Sequence, residues 1–92
     1  MSSMKTAIAG TMESNDIMIS VSSSRQEGKN TIAVESIVMQ QFGPAIIATI
    51  EECLKQFNVN SVHIDAKDRG ALECTIKARM ETALLRYMEL PS

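Results

Sequence analysis

Hydrophobic and polar side chains alternate in two segments of this chain, and this alternation constrains its fold more than any other feature. The residues that share one face are Ile17, Ile19 and Val21 in the first segment and Val62, Ile64 and Ala66 in the second. Successive side chains of a β-strand point to opposite faces of a sheet, so both segments are predicted to be half-buried strands. We place the second of them at residues 59–66, followed by a turn at residues 67–70.

A β-hairpin is predicted near the N-terminus. Residues 6–12 are small and apolar, residues 17–21 form the first alternating strand, and the polar segment 13–16 separates them. Asn15 and Asp16 favour turns because their side chains bond the local backbone and tolerate a left-handed conformation. We therefore expect Ser14 at the tip of this hairpin.

A third strand is predicted at residues 31–34, after a polar loop at residues 22–30. If this strand pairs with the second one, the first three strands form a meander. A helix is then predicted at residues 36–57, with Ser36 as its N-cap. Its apolar side chains recur at helical spacing: Val38, Phe42, Ile46, Ile50, Cys53 or Leu54, and Phe57.

Pro44 interrupts this helical pattern. Inside a helix a proline removes one backbone hydrogen bond and costs about 3 kcal/mol. The pair Gly43 and Pro44 therefore marks either a kink or a new helix that starts at Pro44. We favour one kinked helix.

The segment from residue 71 onward fits two patterns. Leu72, Cys74 and Ile76 alternate as in a strand, whereas Leu72, Ile76, Met80 and Tyr87 are spaced as in a helix. Its length of about 18 residues and its many good helix formers favour a helix. The predicted fold is α+β, with element order β-β-β-α-β-α: a small mixed sheet with two helices packed on one face. We expect a single domain over residues 1–92, with frayed residues 1–4.

Composition limits the partners and the compartment of the protein. The net charge of −2 favours neither nucleic acid nor a lipid surface as a partner. No signal-peptide pattern is present, and no apolar run approaches the ~18 residues of a membrane span, so we expect a cytoplasmic protein. Cys53 and Cys74 are then expected to be reduced, buried thiols.

Few side chains are available for catalysis or metal binding. His63 is the only histidine, and its neighbours place it on the polar face of a strand. The carboxylates of Asp65, Asp68 and Glu73 are interleaved with Lys67 and Arg69, which is typical of a solvated turn rather than of a cation site. We predict no catalytic residue and no metal ligand. A small hydrolase that uses Ser14 and His63 is a weaker alternative.

Ser14 is the residue best suited to a functional role, although its spacing alone favours an ordinary hairpin serine. Glu13 and Asp16 flank it, and their negative charge disfavours deprotonation of its hydroxyl. A covalent bond to this oxygen would therefore be made by another enzyme that supplies the base. The other alternative is a cofactor-free interaction module that binds partners through the basic positions Lys77, Arg79 and Arg86, which are expected on the outer face of the second helix.

Several segments resemble the acyl carrier protein, or gamma subunit, of bacterial citrate lyase. They occur in the family's order from about Met4 to about Met88. The strongest is residues 9–19, Ala-Gly-Thr-Met-Glu-Ser-Asn-Asp-Ile-Met-Ile. The others are Val-Met-Gln-Gln-Phe-Gly at 38–43, Phe-Asn-Val at 57–59, Asp-Arg-Gly-Ala-Leu-Glu-Cys at 68–74 and Ala-Arg-Met-Glu at 78–81.

This resemblance implies that Ser14 carries a phosphoribosyl-dephospho-CoA arm through a phosphodiester. The arm's thiol would bear acetyl and citryl groups while citrate is cleaved to oxaloacetate and acetate. The implied partners are the transferase (alpha) and lyase (beta) subunits, and a holo-synthase that attaches the arm. The carrier subunit of malonate decarboxylase, which bears the same type of arm, is a more distant resemblance. Fatty-acid carriers differ, because their Asp-Ser-Leu motif begins a helix in a helical bundle.

Overall fold

The structure is a computed structural model that describes residues 5–24 and 28–91. Four strands and two helices are formed by these residues. In chain order they are β1 Thr6–Ala9, β2 Ile17–Ser23, β3 Thr31–Ser36, α1 Met39–Gln56, β4 Val62–Asp68 and α2 Glu73–Glu89. The order β-β-β-α-β-α and the α+β class predicted from the sequence are confirmed.

The sheet has the strand order β1-β2-β4-β3. β2 is antiparallel to both β1 and β4, whereas β3 is parallel to β4. The predicted meander is therefore wrong, because β4 lies between β2 and β3. Parallel neighbours need a long crossover connection, and α1 supplies it between β3 and β4. The central places belong to β2 and β4, whose alternate side chains are fully buried.

Both helices pack on one face of this mixed sheet, as expected. The inward side chains of β2 and β4, among them Ile19 and Ile64, form one core cluster with Ile50 of α1 and Met80 of α2. The residues between them, such as Ser20, Asp65 and Lys67, point to the opposite face and are half-buried or exposed. This burial pattern follows from the period-2 alternation.

Several predicted boundaries are wrong by a few residues. β2 continues to Ser23, where we expected the polar loop to have begun, and residues 25–27 of that loop lie outside the described residues. β4 continues to Asp68, so residues 67 and 68 belong to the strand and not to the turn. The expectation of a frayed end at residues 1–4 also lies outside the described residues.

α1 is one continuous helix, and Pro44 lies inside it. Ser36 does not cap this helix because it is the last residue of β3, and α1 begins only at Met39. Phe42, predicted to be in the core, is 52% exposed, and Leu72, expected on the buried face of the second helix, is 70% exposed. Phe42 lies in the first turn of α1 and Leu72 just before α2, where neither side chain reaches the core cluster.

The two cysteines differ in their surroundings. Both are free thiols, but only Cys53 is buried, whereas Cys74 is exposed in the first turn of α2. Burial among apolar side chains raises the pKa of the Cys53 thiol. The expectation of two buried thiols is thus correct for Cys53 and wrong for Cys74.

Gly10, which follows β1, is predicted to be irreplaceable. Its φ is +91°, and a Cβ atom at this position would lie 1.8 Å from the carbonyl oxygen of Ile17. We expect Gly10→Ala to lower the free energy of unfolding by at least about 3 kcal/mol, because left-handed strain is added to a clash with the backbone. Urea denaturation measures this loss.

The control is Gly28→Ala. Gly28 also has a positive φ, +77°, but an added Cβ would meet no atom within 4 Å. Only the conformational cost of about 1 kcal/mol applies there. Equal losses for the two variants would contradict the close approach of Gly10 to Ile17.

Candidate attachment site

Ser14 lies in the connection between β1 and β2. We call residues 10–16 the Ser14 loop. The Ser14 side chain is exposed, and its hydroxyl makes no hydrogen bond to any part of the chain that the structure describes. The strands that flank the loop pair in antiparallel register, so the predicted hairpin is confirmed.

A tight turn presents this serine. The amide of Asp16 donates a hydrogen bond of 3.2 Å to the carbonyl oxygen of Glu13, which closes a four-residue turn around Ser14 and Asn15. Asn15 has a φ of +66° at the third position of the turn, the conformation that a type II turn requires there. Asparagine tolerates this left-handed backbone better than most residues do. The residue types at 13–16 thus favour this turn.

The backbone of Arg69 fastens the turn to the sheet. The amide of Asn15 donates to the carbonyl oxygen of Arg69 at 2.8 Å, and the amide of Arg69 donates to the carbonyl oxygen of Asp16 at 2.9 Å. Asn15 and Asp16 together therefore face Arg69. Asn15, the first of the two, has a left-handed conformation, as in a G1-type β-bulge. The β2–β4 pairing thereby extends up to the residue after Ser14.

Asp16 ties the same loop to α2. Its carboxylate accepts two hydrogen bonds from the guanidinium of Arg79, each 3.0 Å long, and one of 2.7 Å from the Thr11 hydroxyl. It also accepts a bond of 2.7 Å from the amide of Ile17. The bonds from Arg79, and then that from Thr11, lower the pKa of Asp16 from 3.8 to about 2. At physiological pH the Asp16 carboxylate is therefore ionised, and the positive charge of Arg79 balances its negative charge.

This ion pair corrects two expectations. Asp16 is not a free negative charge beside Ser14, and Arg79 does not simply face solvent on the outer side of α2. Arg86 also contacts the hairpin, since its guanidinium donates to the carbonyl oxygen of Ile8 at 2.7 Å. Lys77 does lie at the surface, 3.7 Å from a Glu73 oxygen and 4.0 Å from a Glu52 oxygen.

Asp68 is a second carboxylate that the sequence pattern assigned wrongly. It is only 2% exposed, not part of a solvated turn. Its oxygens accept hydrogen bonds from the Ser36 hydroxyl at 2.8 Å and from the amides of Gly70 and Ala71 at 3.2 and 2.9 Å. Asp68 thereby orders residues 70 and 71, which directly follow Arg69, the residue whose backbone holds the Ser14 turn.

His63 lies far from Ser14. It pairs with Ser22, whereas the Ser14 loop adjoins the Asp68 end of β4, five residues away. At roughly 3.3 Å per residue this separates the two by about 16 Å along the strand. The imidazole Nδ1 instead shares a hydrogen bond of 2.6 Å with the Thr31 hydroxyl. The structure therefore does not bring Ser14 and His63 together.

The residues that the structure describes form neither a metal-binding cluster nor a membrane-spanning helix. No group of three or more His, Cys, Asp or Glu side chains within residues 5–24 and 28–91 is arranged to hold a metal ion. Over the same ranges, neither helix has the length and hydropathy needed to cross a membrane.

An apolar groove of about 370 Å³ opens close to the Ser14 loop. It runs between the N-terminal turns of α1 and α2, and its apolar wall includes Val38, Phe42, Ile46, Ala71, Leu72 and Ile76. Gly70 lines the same groove, and a Cβ added to Gly70 would lie 3.6 Å from the side-chain oxygen of Asn15. The groove and the turn that carries Ser14 are therefore neighbours on the surface.

Comparison with known proteins identifies the family. A protein of Streptococcus mutans named citrate lyase acyl carrier protein is 48% identical over 86 residues, which are 94% of this chain and 83% of the relative. The protein of that name from Latilactobacillus sakei is 50% identical over 80 residues, 87% of this chain and 77% of the relative. The chain belongs to the citrate lyase acyl carrier protein family. The Klebsiella pneumoniae member is 42% identical over 80 residues, 87% of this chain and 81% of the relative.

A family model described as "Malonate decarboxylase delta subunit (MdcD)", with the short name ACP, also matches residues 4–87. Both comparisons support an acyl carrier role, and they confirm the family resemblance seen in the sequence. The relatives are named as carriers in citrate lyase and not as catalysts.

The Asp16–Arg79 pair predicts a pH-dependent contribution to stability. Because the folded-state pKa of Asp16 lies below 3.8, the contribution is complete above about pH 4 and is lost as the pH falls to about 2. The Arg79 side chain is 40% exposed, so solvent screening limits the effect. We expect Arg79→Gln to lower the free energy of unfolding by about 1 kcal/mol at pH 7 and by much less at pH 2.

Urea denaturation of the wild type and Arg79→Gln at pH 7, 4 and 2 measures this difference. Lys77→Gln is the matched control on the same helix, since its exposed ion pairs contribute no more than about 0.5 kcal/mol. A difference between wild type and Arg79→Gln that does not change with pH would contradict the assignment.

Proposed function

We propose that this protein is the carrier subunit of a citrate lyase complex and that Ser14 is its attachment residue. Ser14 would hold phosphoribosyl-dephospho-CoA through a phosphodiester. When bound, this group supplies a terminal thiol that carries acetyl and citryl groups as thioesters. The partners would be the transferase and lyase subunits and the holo-synthase, and the complex would act in the cytoplasm with residues 1–92 as one carrier domain.

The main support for this proposal is the exposed Ser14 hydroxyl, which has no hydrogen-bond partner among the described residues. It lies on a turn that Arg69 holds through its backbone and Arg79 holds through Asp16. A modifying enzyme needs access to the oxygen, and the exposure of Ser14 provides it. A bulky group needs free space, and loops at hairpin ends tolerate such attachments. The residues present therefore fit the group.

The surroundings of Ser14 favour an attachment point over a nucleophile. A serine nucleophile needs a general base within hydrogen-bond reach, and the sole histidine lies at the other end of β4. The carboxylate of Asp16 is occupied by Arg79, Thr11 and a backbone amide. The base for attachment would thus come from the holo-synthase.

A carrier contributes to catalysis by holding reactants near two active sites. Tethering turns each encounter into an intramolecular event, with an effective concentration in the millimolar range for a short flexible link. A firmly held turn fixes the point from which the tether swings. The bonds from Asn15, Asp16 and Arg69 would give this chain such a fixed point.

Intact-mass measurement tests the attachment residue. We expect protein purified from cells that express the whole citrate lyase operon to carry one adduct with the mass of the arm. Ser14→Ala should carry none, because the oxygen that forms the phosphodiester is gone.

Ser20→Ala is the control for this measurement. Ser20 lies in β2 on the sheet face away from the helices, and its substitution should leave the adduct in place. An adduct on Ser14→Ala, or unmodified wild-type protein under these conditions, would overturn the proposal.

A malonate decarboxylase-type carrier is the second candidate, because the matching family model bears that enzyme's name. The two candidates differ in the acyl group received. Two incubations separate the candidates: the protein that carries the arm is mixed with each enzyme's transferase subunit, and the mass of the resulting thioester is measured. Citrate lyase-type function predicts acetyl and citryl adducts and no malonyl adduct.

A further inference from the structure

We propose that Arg69, assisted by Lys67, binds the phosphate that joins the prosthetic arm to Ser14. This inference rests on the proposed function, since it concerns the group attached at Ser14. It assigns Arg69 as a positioning residue that holds the start of the arm against the protein. Four observations support it: the backbone pairing of Arg69, its lack of a counter-ion, charges around the turn that do not oppose an anion, and a depression beside it.

Arg69 is held next to the turn by its backbone. Its carbonyl oxygen accepts a hydrogen bond of 2.8 Å from the Asn15 amide, and Ser14 precedes Asn15 by one Cα step of about 3.8 Å. The Arg69 side chain is exposed and long enough to cover this spacing. A phosphate on the Ser14 oxygen and the Arg69 guanidinium can therefore meet at the surface.

Arg69 and Lys67 are also uncommitted cations. Neither side chain has a hydrogen bond or ion pair within residues 5–24 and 28–91. Other basic side chains near the hairpin are already engaged: Arg79 with Asp16, Arg86 with the Ile8 carbonyl oxygen, and Lys5 with the Leu90 carbonyl oxygen and the Tyr87 ring.

The remaining charges around the turn do not oppose an anion. Asp16 is neutralised by Arg79, so Glu13 is the one uncompensated carboxylate in the described turn. Glu35 lies opposite Lys67 in the parallel register, but no ion pair joins the two side chains. Lys67 and Arg69 thus offset Glu13 and Glu35, so a phosphodiester on Ser14 would not add its charge to an excess of negative charge among these groups.

A depression of about 320 Å³ provides room for the group. Its wall includes Met12 of the Ser14 loop together with Ile37, Lys67 and Arg69, and Glu35 lies at the same wall. A guanidinium presents two parallel N–H donors to phosphate oxygens, and such charge-assisted bonds are among the strongest hydrogen bonds in proteins. The Arg69 guanidinium can therefore bind the phosphate, and the depression has room for it.

The test uses the full chain with O-phosphoserine incorporated at position 14, a probe that does not depend on the holo-synthase. Titration by ³¹P NMR gives the second pKa of this phosphate, ordinarily near 6. We expect Arg69→Gln to raise that pKa by about 0.5, a threefold change in the protonation constant, because a cation that favours the dianion is removed. Arg69→Lys should restore most of the difference.

Lys55→Gln is the control, since Lys55 is an exposed cation at the C-terminal end of α1, beside the loop that precedes β4. Its substitution should leave the phosphate pKa unchanged. Equal pKa values in wild type and Arg69→Gln, with both proteins folded, would overturn the role of Arg69. The mass measurement on Ser14→Ala decides the proposed function separately, so the two failures are distinguishable.

Discussion

The backbone pairing of Arg69 with Asn15 and Asp16 is the interaction on which the proposed site depends. It carries the β2–β4 ladder past the end of both strands and up to the residue after Ser14. Without it, residues 10–16 would be an ordinary hairpin connection, held only at its ends. With the Arg69 pairing, the turn extends the sheet, and the exposed Ser14 has a fixed position relative to it.

Two aspartates stabilise this pairing from opposite sides. Asp16 joins the turn to α2 through Arg79, and Asp68 orders residues 70 and 71 beyond Arg69 while it accepts the Ser36 hydroxyl. Each carboxylate accepts several hydrogen bonds from groups that shape the loop. The polar groups near Ser14 thus serve the shape of the loop, which is consistent with a carrier whose chemistry is supplied by its partners.

Much of this arrangement could be predicted from the sequence. The rest depends on contacts between residues far apart in the chain, which local patterns do not indicate. Period-2 alternation located β2 and β4, and the turn preferences of Asn15 and Asp16 located Ser14. The same alternation, continued from Val62, Ile64 and Ala66, would have placed Asp68 on the buried face. The Asp16–Arg79 pair spans 63 residues and leaves no local signal. The place of β3 was missed because the helix that follows it, not its own pattern, decides its pairing.

We infer that the turn around Ser14 is ordered before any group is attached to it. Backbone ¹⁵N relaxation of the bare protein measures this most directly. We expect order parameters of about 0.85 for the amides of Glu13, Ser14, Asn15 and Asp16, equal to those of β2. Values below about 0.6 at these residues, beside a rigid β2, would show that the turn is mobile and that the Arg69 pairing does not order it.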